Sequence, residues 1–372
     1  MEVKEFFEHH YFDIPLSYDN NDFYKGTESI FSQYLQDIDK ITSDSDDLLI
    51  NIKSDKARIK GICNGLLNTL RMYSIGKTFN AYKELEDTIE SVKDQFDILC
   101  ERDVKINLQT GISLYRAREM HDKNVTIMDL FHIPFDKIRQ VGSQRFSIPG
   151  LPCLYLGSST YVSWKEIGQP NINDVYFSRF ELASSQTVEV LNLDFRKESI
   201  KVGIEYYKQD EYQVNHEGYK ILLRALAVCW PIIMACSVIV KEKASLFFPE
   251  YIIPQLLLQY VVQKNGFDGI QYTSICEKSL TGNPIRLSNF VFPATYKGEG
   301  LYCEKLMTKF LMTQPVSWVL ADLSNIHVCA DMFGPPIYDP IELIPTQLIN
   351  YEDTKFGRFE NILQSCEAIS LI

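Results

Sequence analysis

"QRFSIPGLPCLYLGSSTYVSWKEIG", residues 144–168, decides how this chain is read, because three kinds of local structure follow one another in it without slack. Gly142 and the Pro149-Gly150 pair punctuate a loop that carries Arg145. Leu154, Tyr155 and Leu156 alternate as a strand; Ser158, Ser159 and Thr160 offer helix caps; and "YVSWKEIG" fits a short helix stopped at Gly168. This order sets Arg145 at the mouth of a strand, Tyr155 on it and Glu166 in the second turn of the next helix, making all three candidates to line one cleft. Taken singly, each has an ordinary reading: arginines are usually solvated, strand tyrosines usually lie in the core, and helical glutamates usually face water.

Around this stretch the chain changes character. From about residue 28 to 100 the pattern is helical, with Tyr82, Leu85, Ile89, Val92, Phe96 and Leu99 recurring at spacings of 3 and 4. Ile59, Cys63, Leu66, Leu70 and Tyr73 form a second stripe, so helices over 57–75 and 79–100 are expected to pack as an antiparallel hairpin across "SIGKT". Gly76-Lys77-Thr78 ends like a phosphate-binding loop, but Arg71 stands where that motif needs glycine and a helix stands where it needs a strand. After residue 106 short strands take over: "ISLYRAR", "LPCLYLG", "VYFSRFEL", "VEVLNL", "ACSVIV", "GIQYTSI" and "NFVFPATY", with helices at 217–229 and 253–264. Beyond 300, strands are expected near 316–321 and 326–330, followed by a Pro-rich surface run, "FGPPIYDPIELIP". The fold class is α+β, and three regions follow: a helical 1–105, a mixed 106–300 with an insertion at about 195–250, and a C-terminal extension, 301–372.

Composition narrows the function. The 372 residues are 45% hydrophobic and 23% charged, an ordinary globular balance, and the net charge of −12 excludes a general basic footprint for nucleic acid. Nine cysteines without a CxxC pair read as buried thiols of a reducing compartment, and six histidines without metal-ligand spacing give no support for a metal. "MEVKEFFEHHYF" lacks the basic and apolar regions of a secretory signal, so the expected location is the cytoplasm. Residues 225–240 are uncharged but number sixteen and contain Pro231, short of the ~20 that a membrane span needs. They are expected to form a buried helix to about Trp230 and a core strand at 236–240.

"LYRAR" at 114–118, "QRFSIPGLPCLYLG" leading to "WKEIG", "FDGIQYTSI" at 267–275 and "NFVFP" at 289–293 together resemble the RES domain, a family named for an arginine, a glutamate and a serine. The resemblance spans about 111–296 and implies an ADP-ribosyltransferase-like core that degrades NAD, commonly as the toxin of a toxin–antitoxin pair. It assigns the arginines to Arg116, beside Tyr115, and Arg145, the tyrosine to Tyr155, the glutamate to Glu166 and the serine to Ser274. The chemistry is coherent. Guanidinium groups grip a diphosphate through charge-assisted hydrogen bonds. A carboxylate stabilises the sugar cation that forms as nicotinamide leaves. A tyrosine stacks on nicotinamide or orients the ribose, and a serine fixes the ring amide or the glutamate. NAD is then a substrate. Water as acceptor makes the enzyme a glycohydrolase, phosphate a phosphorylase, and a macromolecule an ADP-ribosyltransferase; a silent NAD-binding module is the non-enzymatic alternative. Trp164 replaces the second glutamate that arginine-modifying transferases carry two residues before the catalytic one. The implied partners are NAD, an antitoxin or regulatory protein, and a second copy through the N-terminal helices.

Overall fold

The computed structural model describes residues 2–18, 22–99, 113–121, 124–184, 186–208, 216–241, 245–264, 266–274, 287–296, 298–324, 340–344 and 347–372. Its helices are α1 (Val3–Phe7), α2 (Phe23–Asp39), α3 (Asp47–Ser54), α4 (Lys56–Ser74), α5 (Thr78–Glu90), α6 (Lys93–Leu99), α7 (Thr160–Glu166), α8 (Lys197–Lys208), α9 (His216–Cys236), α10 (Ile252–Gln263), α11 (Glu304–Lys309), α12 (Trp318–Ser324) and α13 (Lys355–Ser365). Its strands are β1 (Leu114–Glu119), β2 (Cys153–Gly157), β3 (Val175–Leu182), β4 (Val190–Asn192), β5 (Gly269–Thr273), β6 (Ser288–Pro293), β7 (Phe310–Thr313), β8 (Val316–Ser317), β9 (Pro340–Ile344), β10 (Gln347–Asn350) and β11 (Ala368–Ile369). The chain is α+β and divides into two compact units.

The first unit, Met1–Asp103, Gln144–Phe146 and Leu191–Asn265, is helical. Helices α4 and α5 form the expected hairpin, turning at Gly76, whose φ of 78° is the left-handed conformation glycine tolerates best. The second helix of that pair is broken at Ser91 and Val92 into α5 and α6. Leu85, Ile89, Val92, Phe96 and Leu99 are all buried, so the apolar stripe is internal packing. The insertion expected at 195–250 belongs here, because α8 and α9 supply apolar faces against which the N-terminal helices pack. It is therefore part of the helical unit and not an addition to the strand-rich one.

Helix α9 corrects a second expectation. It continues through Pro231 to Cys236, and in place of a strand at 236–240 there is a single bridge between Leu16 and Val238. A proline inside a helix orphans the carbonyl four residues earlier. Here that carbonyl belongs to Ala227, and the buried Tyr34 hydroxyl donates to it at 2.6 Å. Uninterrupted, the stretch Glu217–Cys236 is long and apolar enough to cross a membrane. Most of it is buried inside the protein, with Arg224 paired to Asp55 and the Trp230 indole donating to the Tyr11 carbonyl.

The second unit, Val104–Ser143, Ser147–Val190 and Gly266–Ile372, is built on an antiparallel sheet ordered β11-β7-β3-β1-β2-β6-β5, with β8 also on β3. Strand alternation gives the sheet two apolar faces. Leu114, Leu154, Leu156, Phe180, Phe290 and Phe292 pack on one side. Tyr115, Ala117, Val175 and Phe177 pack on the other against Trp318 of α12 and Phe359 of α13. The tail after 300 is thus no extension, since β7, β8 and β11 complete this sheet. The strand expected at 316–321 is only β8, after which Trp318–Ser324 is helical; the one at 326–330 lies outside the described residues. Of the Pro-rich run, 340–344 forms β9, paired with β10, and 333–339 is outside the described residues.

Candidate functional site

The stretch 153–168 folds as its sequence indicates, and it positions the candidate carboxylate. Strand β2 ends at Gly157, where any Cβ would meet the Ser163 hydroxyl at 2.6 Å, so only glycine lets the strand turn directly into α7. The Ser159 hydroxyl caps α7 by accepting from the Val162 amide at 3.1 Å. Gly168, with φ at 89°, ends it. The Ser163 hydroxyl donates to the Tyr115 carbonyl at 2.9 Å and ties the helix to β1.

A second tie comes from α13. The buried Glu360 carboxylate accepts from the Thr160 amide at 2.7 Å, the Thr160 hydroxyl at 3.0 Å and the Tyr351 hydroxyl at 2.6 Å. A carboxylate at the first turn of a helix satisfies a free amide and complements the helix dipole. The other end of α13 is held by Arg179 of β3, whose Nε and Nη2 donate to the carbonyls of Leu363 and Cys366, both at 3.0 Å.

At its C-terminal end α7 carries Glu166, whose side chain reaches the strand ends of β5 and β6. Its Oε1 accepts from the Ser274 hydroxyl at 2.6 Å and from the Asn289 amide at 2.7 Å. Ser274 and Asn289 are buried while Glu166 is exposed, so two interior donors hold an accessible carboxylate. Cross-strand register places Asn289 opposite Gly157 and Tyr272, and Tyr155 opposite Val291, putting Tyr155, Tyr272 and Asn289 on one face of the sheet. Tyr155 is partly exposed but its hydroxyl is buried, and burial pushes that phenol well above its ordinary range. The exposed part of this residue is therefore not its polar tip.

Arg116 lies on the other face, beside Leu114, and does not touch Glu166. Strands β1 and β2 are in register only at Tyr115 and Gly157; past that point Arg116 Nη1 donates to the Tyr155 carbonyl at 3.0 Å. Its Nε is buried without an acceptor among the described residues. Burial, with the like charge of Arg118 adding to it, pulls its pKa down to about 10, leaving it a cation at neutral pH.

Two further candidates are engaged by the fold itself. Tyr115 is 1% exposed inside the apolar cluster formed with Ala117 and Phe177, so it is core and has no surface to offer a ligand. Arg145 belongs to the helical unit. Its Nη1 and Nη2 donate to the carbonyls of Cys236 and Val238, at 3.2 and 2.7 Å, and its guanidinium lies 5.0 Å from the Tyr251 ring centroid. It closes the end of α9, a task that suits a cation at a helix C-terminus. Trp164 donates to the Pro170 carbonyl at 2.9 Å.

Sequence reasoning did not single out Asn289, Glu360 or Arg179. Asn289 left one signal: an asparagine in the otherwise apolar strand "NFVFP" runs against strand preference. Five of the six described cysteines are buried, and burial pushes the thiols of Cys63, Cys153 and Cys236 up to about 12. Glu119, His121 and Asp174 have ligating atoms within 4.8 Å of one another, the first two being exposed and the third half-buried.

A protein of Bacillus subtilis (strain 168) named "Putative toxin YopC" is 29% identical to this chain over 298 residues. The match covers 78% of this chain and 65% of that protein, so the chain spans about two thirds of its relative's length. No family model and no solved structure matches the chain.

Proposed function

We propose that this protein is a toxin that breaks the nicotinamide–ribose bond of NAD. The observation that carries the reading is the bond between Ser274 and Glu166, 108 residues apart in sequence and 2.6 Å apart in space, which joins the serine and glutamate of the RES resemblance at an exposed carboxylate. The name of the Bacillus relative supports the toxic role.

As nicotinamide departs with the bonding electron pair, positive charge grows on the ribose, and the anionic Glu166 stabilises charge present mainly in the transition state. Hydrolysis then gives nicotinamide, ADP-ribose and a proton; phosphate in place of water gives ADP-ribose 1″-phosphate. Arg116, on the opposite face of the sheet from Glu166, is the cation this reading assigns to the diphosphate, at the point where the β1–β2 ladder has ended. Tyr155 offers its ring to the nicotinamide or the ribose. On this reading no substrate contact is assigned to Arg145, whose guanidinium bonds the carbonyls at the end of α9, or to the buried Tyr115.

The test is release of nicotinamide from NAD by purified protein, with and without phosphate, beside a Glu166→Gln control. Release that depends on Glu166 is expected. Equal rates in the two proteins overturn the reading, and label from NAD left on a macromolecule redirects it to ADP-ribose transfer.

A further inference from the structure

Resting on the reading above, we propose that Asn289 is a positioning residue: with Ser274 it forms a two-donor cradle that fixes where Oε1 of Glu166 lies against the reacting sugar. The RES resemblance accounts for the serine and the glutamate but not for this amide.

Three observations support it. First, both donors meet the same oxygen, at 2.6 Å from Ser274 and 2.7 Å from Asn289. One hydrogen bond leaves a carboxylate free to swing about it, whereas two, from the residue that follows β5 and from β6, fix where Oε1 lies and narrow how the group can turn. Second, the two donors differ in kind. A serine hydroxyl rotates and can donate elsewhere, but an amide nitrogen donates along two directions set by its plane. Asn289 lies inside the ladder, paired with Gly157 on one side and Tyr272 on the other, so its backbone is held from both neighbours. Third, the residue is 3% exposed in the strand "SNFVFP". Burying an amide costs free energy unless it is bonded, and the bond it makes is to an exposed carboxylate. A residue needed only for the sheet would be better apolar here, as Val291 is on the same face.

The consequence concerns turnover more than binding. Asn289 acts through Glu166, so removing it should loosen the carboxylate without removing a substrate contact. The Asn289→Leu variant is expected to lose about 10- to 100-fold in kcat for nicotinamide release, with KM changed less than about threefold. A rise in KM with kcat preserved, or wild-type kinetics from a folded variant, overturns the proposal.

A second measurement needs neither turnover nor a folded Asn289 variant. In the wild-type chain and in Glu166→Gln, whose altered side chain is exposed, the side-chain amide signals of Asn289 are compared by 15N NMR. Loss of the charged acceptor should move them, together with faster amide hydrogen exchange. Signals that stay in place show that the cradle does not exist in solution and overturn the proposal. If they move while the wild-type protein releases no nicotinamide, the NAD reading fails and the cradle stands.

Discussion

Replacing Tyr34 by Phe tests why α9 survives its own proline. Pro231 has no amide hydrogen, so the Ala227 carbonyl lacks its helical donor, and the Tyr34 hydroxyl supplies one at 2.6 Å with both residues fully buried. The substitution keeps the ring and opens no large cavity; it removes one donor. The loss combines a net hydrogen bond, about 0.5–1.5 kcal/mol, with a carbonyl left buried and unbonded, about 1–3 kcal/mol, for an expected cost of about 2–3 kcal/mol. Urea denaturation followed by circular dichroism reads the cost, and hydrogen exchange within 217–236 shows whether it falls on α9. The decisive comparison is made in a Pro231→Ala background, where the restored amide at 231 competes for the same carbonyl. There Tyr34→Phe should cost at least about 1 kcal/mol less, a coupling measured by a double-mutant cycle. Equal cost in both backgrounds would refute the assignment of the hydroxyl to the orphaned carbonyl.

Two further outcomes follow from the strand-rich unit. Glu360→Ala strips the first amide of α7 and the hydroxyls of Thr160 and Tyr351 of their common acceptor, and should lower stability by about 3 kcal/mol. It should also slow nicotinamide release, while Glu360→Gln, which keeps one acceptor oxygen, should lose less in a thermal melt and in the assay. His132 is buried, donates from Nδ1 to the Ile133 carbonyl and accepts from the Cys303 amide at Nε2, both at 2.8 Å. Burial, with nearby Arg116 acting in the same direction, lowers its pKa to about 4, so the folded chain keeps it neutral. The unfolded chain takes up the proton near 6.5, and stability present above that pH is lost as pH falls toward 4. Between pH 7 and pH 5 the wild type should lose about 2 kcal/mol more than His132→Asn in urea denaturation, and equal losses would contradict the burial argument.

What the sequence made legible, and what it hid, divides by how far apart the interacting groups are. "VYFSRFEL" is β3 at 175–182, and its alternation is real: Val175 and Phe177 face one cluster and Phe180 the other. Helix α7 is equally local, its serine cap and terminal glycine lying within ten residues. The length of α9 is not legible locally, because a proline's penalty is local while its compensation comes from Tyr34, 193 positions from the Ala227 carbonyl it bonds. The same distance explains the insertion, since nothing inside 195–250 announces that its partners are the N-terminal helices.

At the candidate site the contrast is sharper, because it separates two arginines of identical chemistry. Guanidinium donors bind phosphate oxygens and backbone carbonyls alike, and the choice is made by whatever the fold brings within 3 Å. Arg145 found the carbonyls that end α9; Arg116 found one carbonyl where a strand ladder stops. Residue type could propose both for a diphosphate, but only tertiary structure could show that Arg145 is already committed to its own fold. Glu166 is the opposite case: it is exposed, yet its carboxylate is held by two buried donors. That arrangement suits a group that must meet a substrate in one orientation more than one that merely decorates a surface.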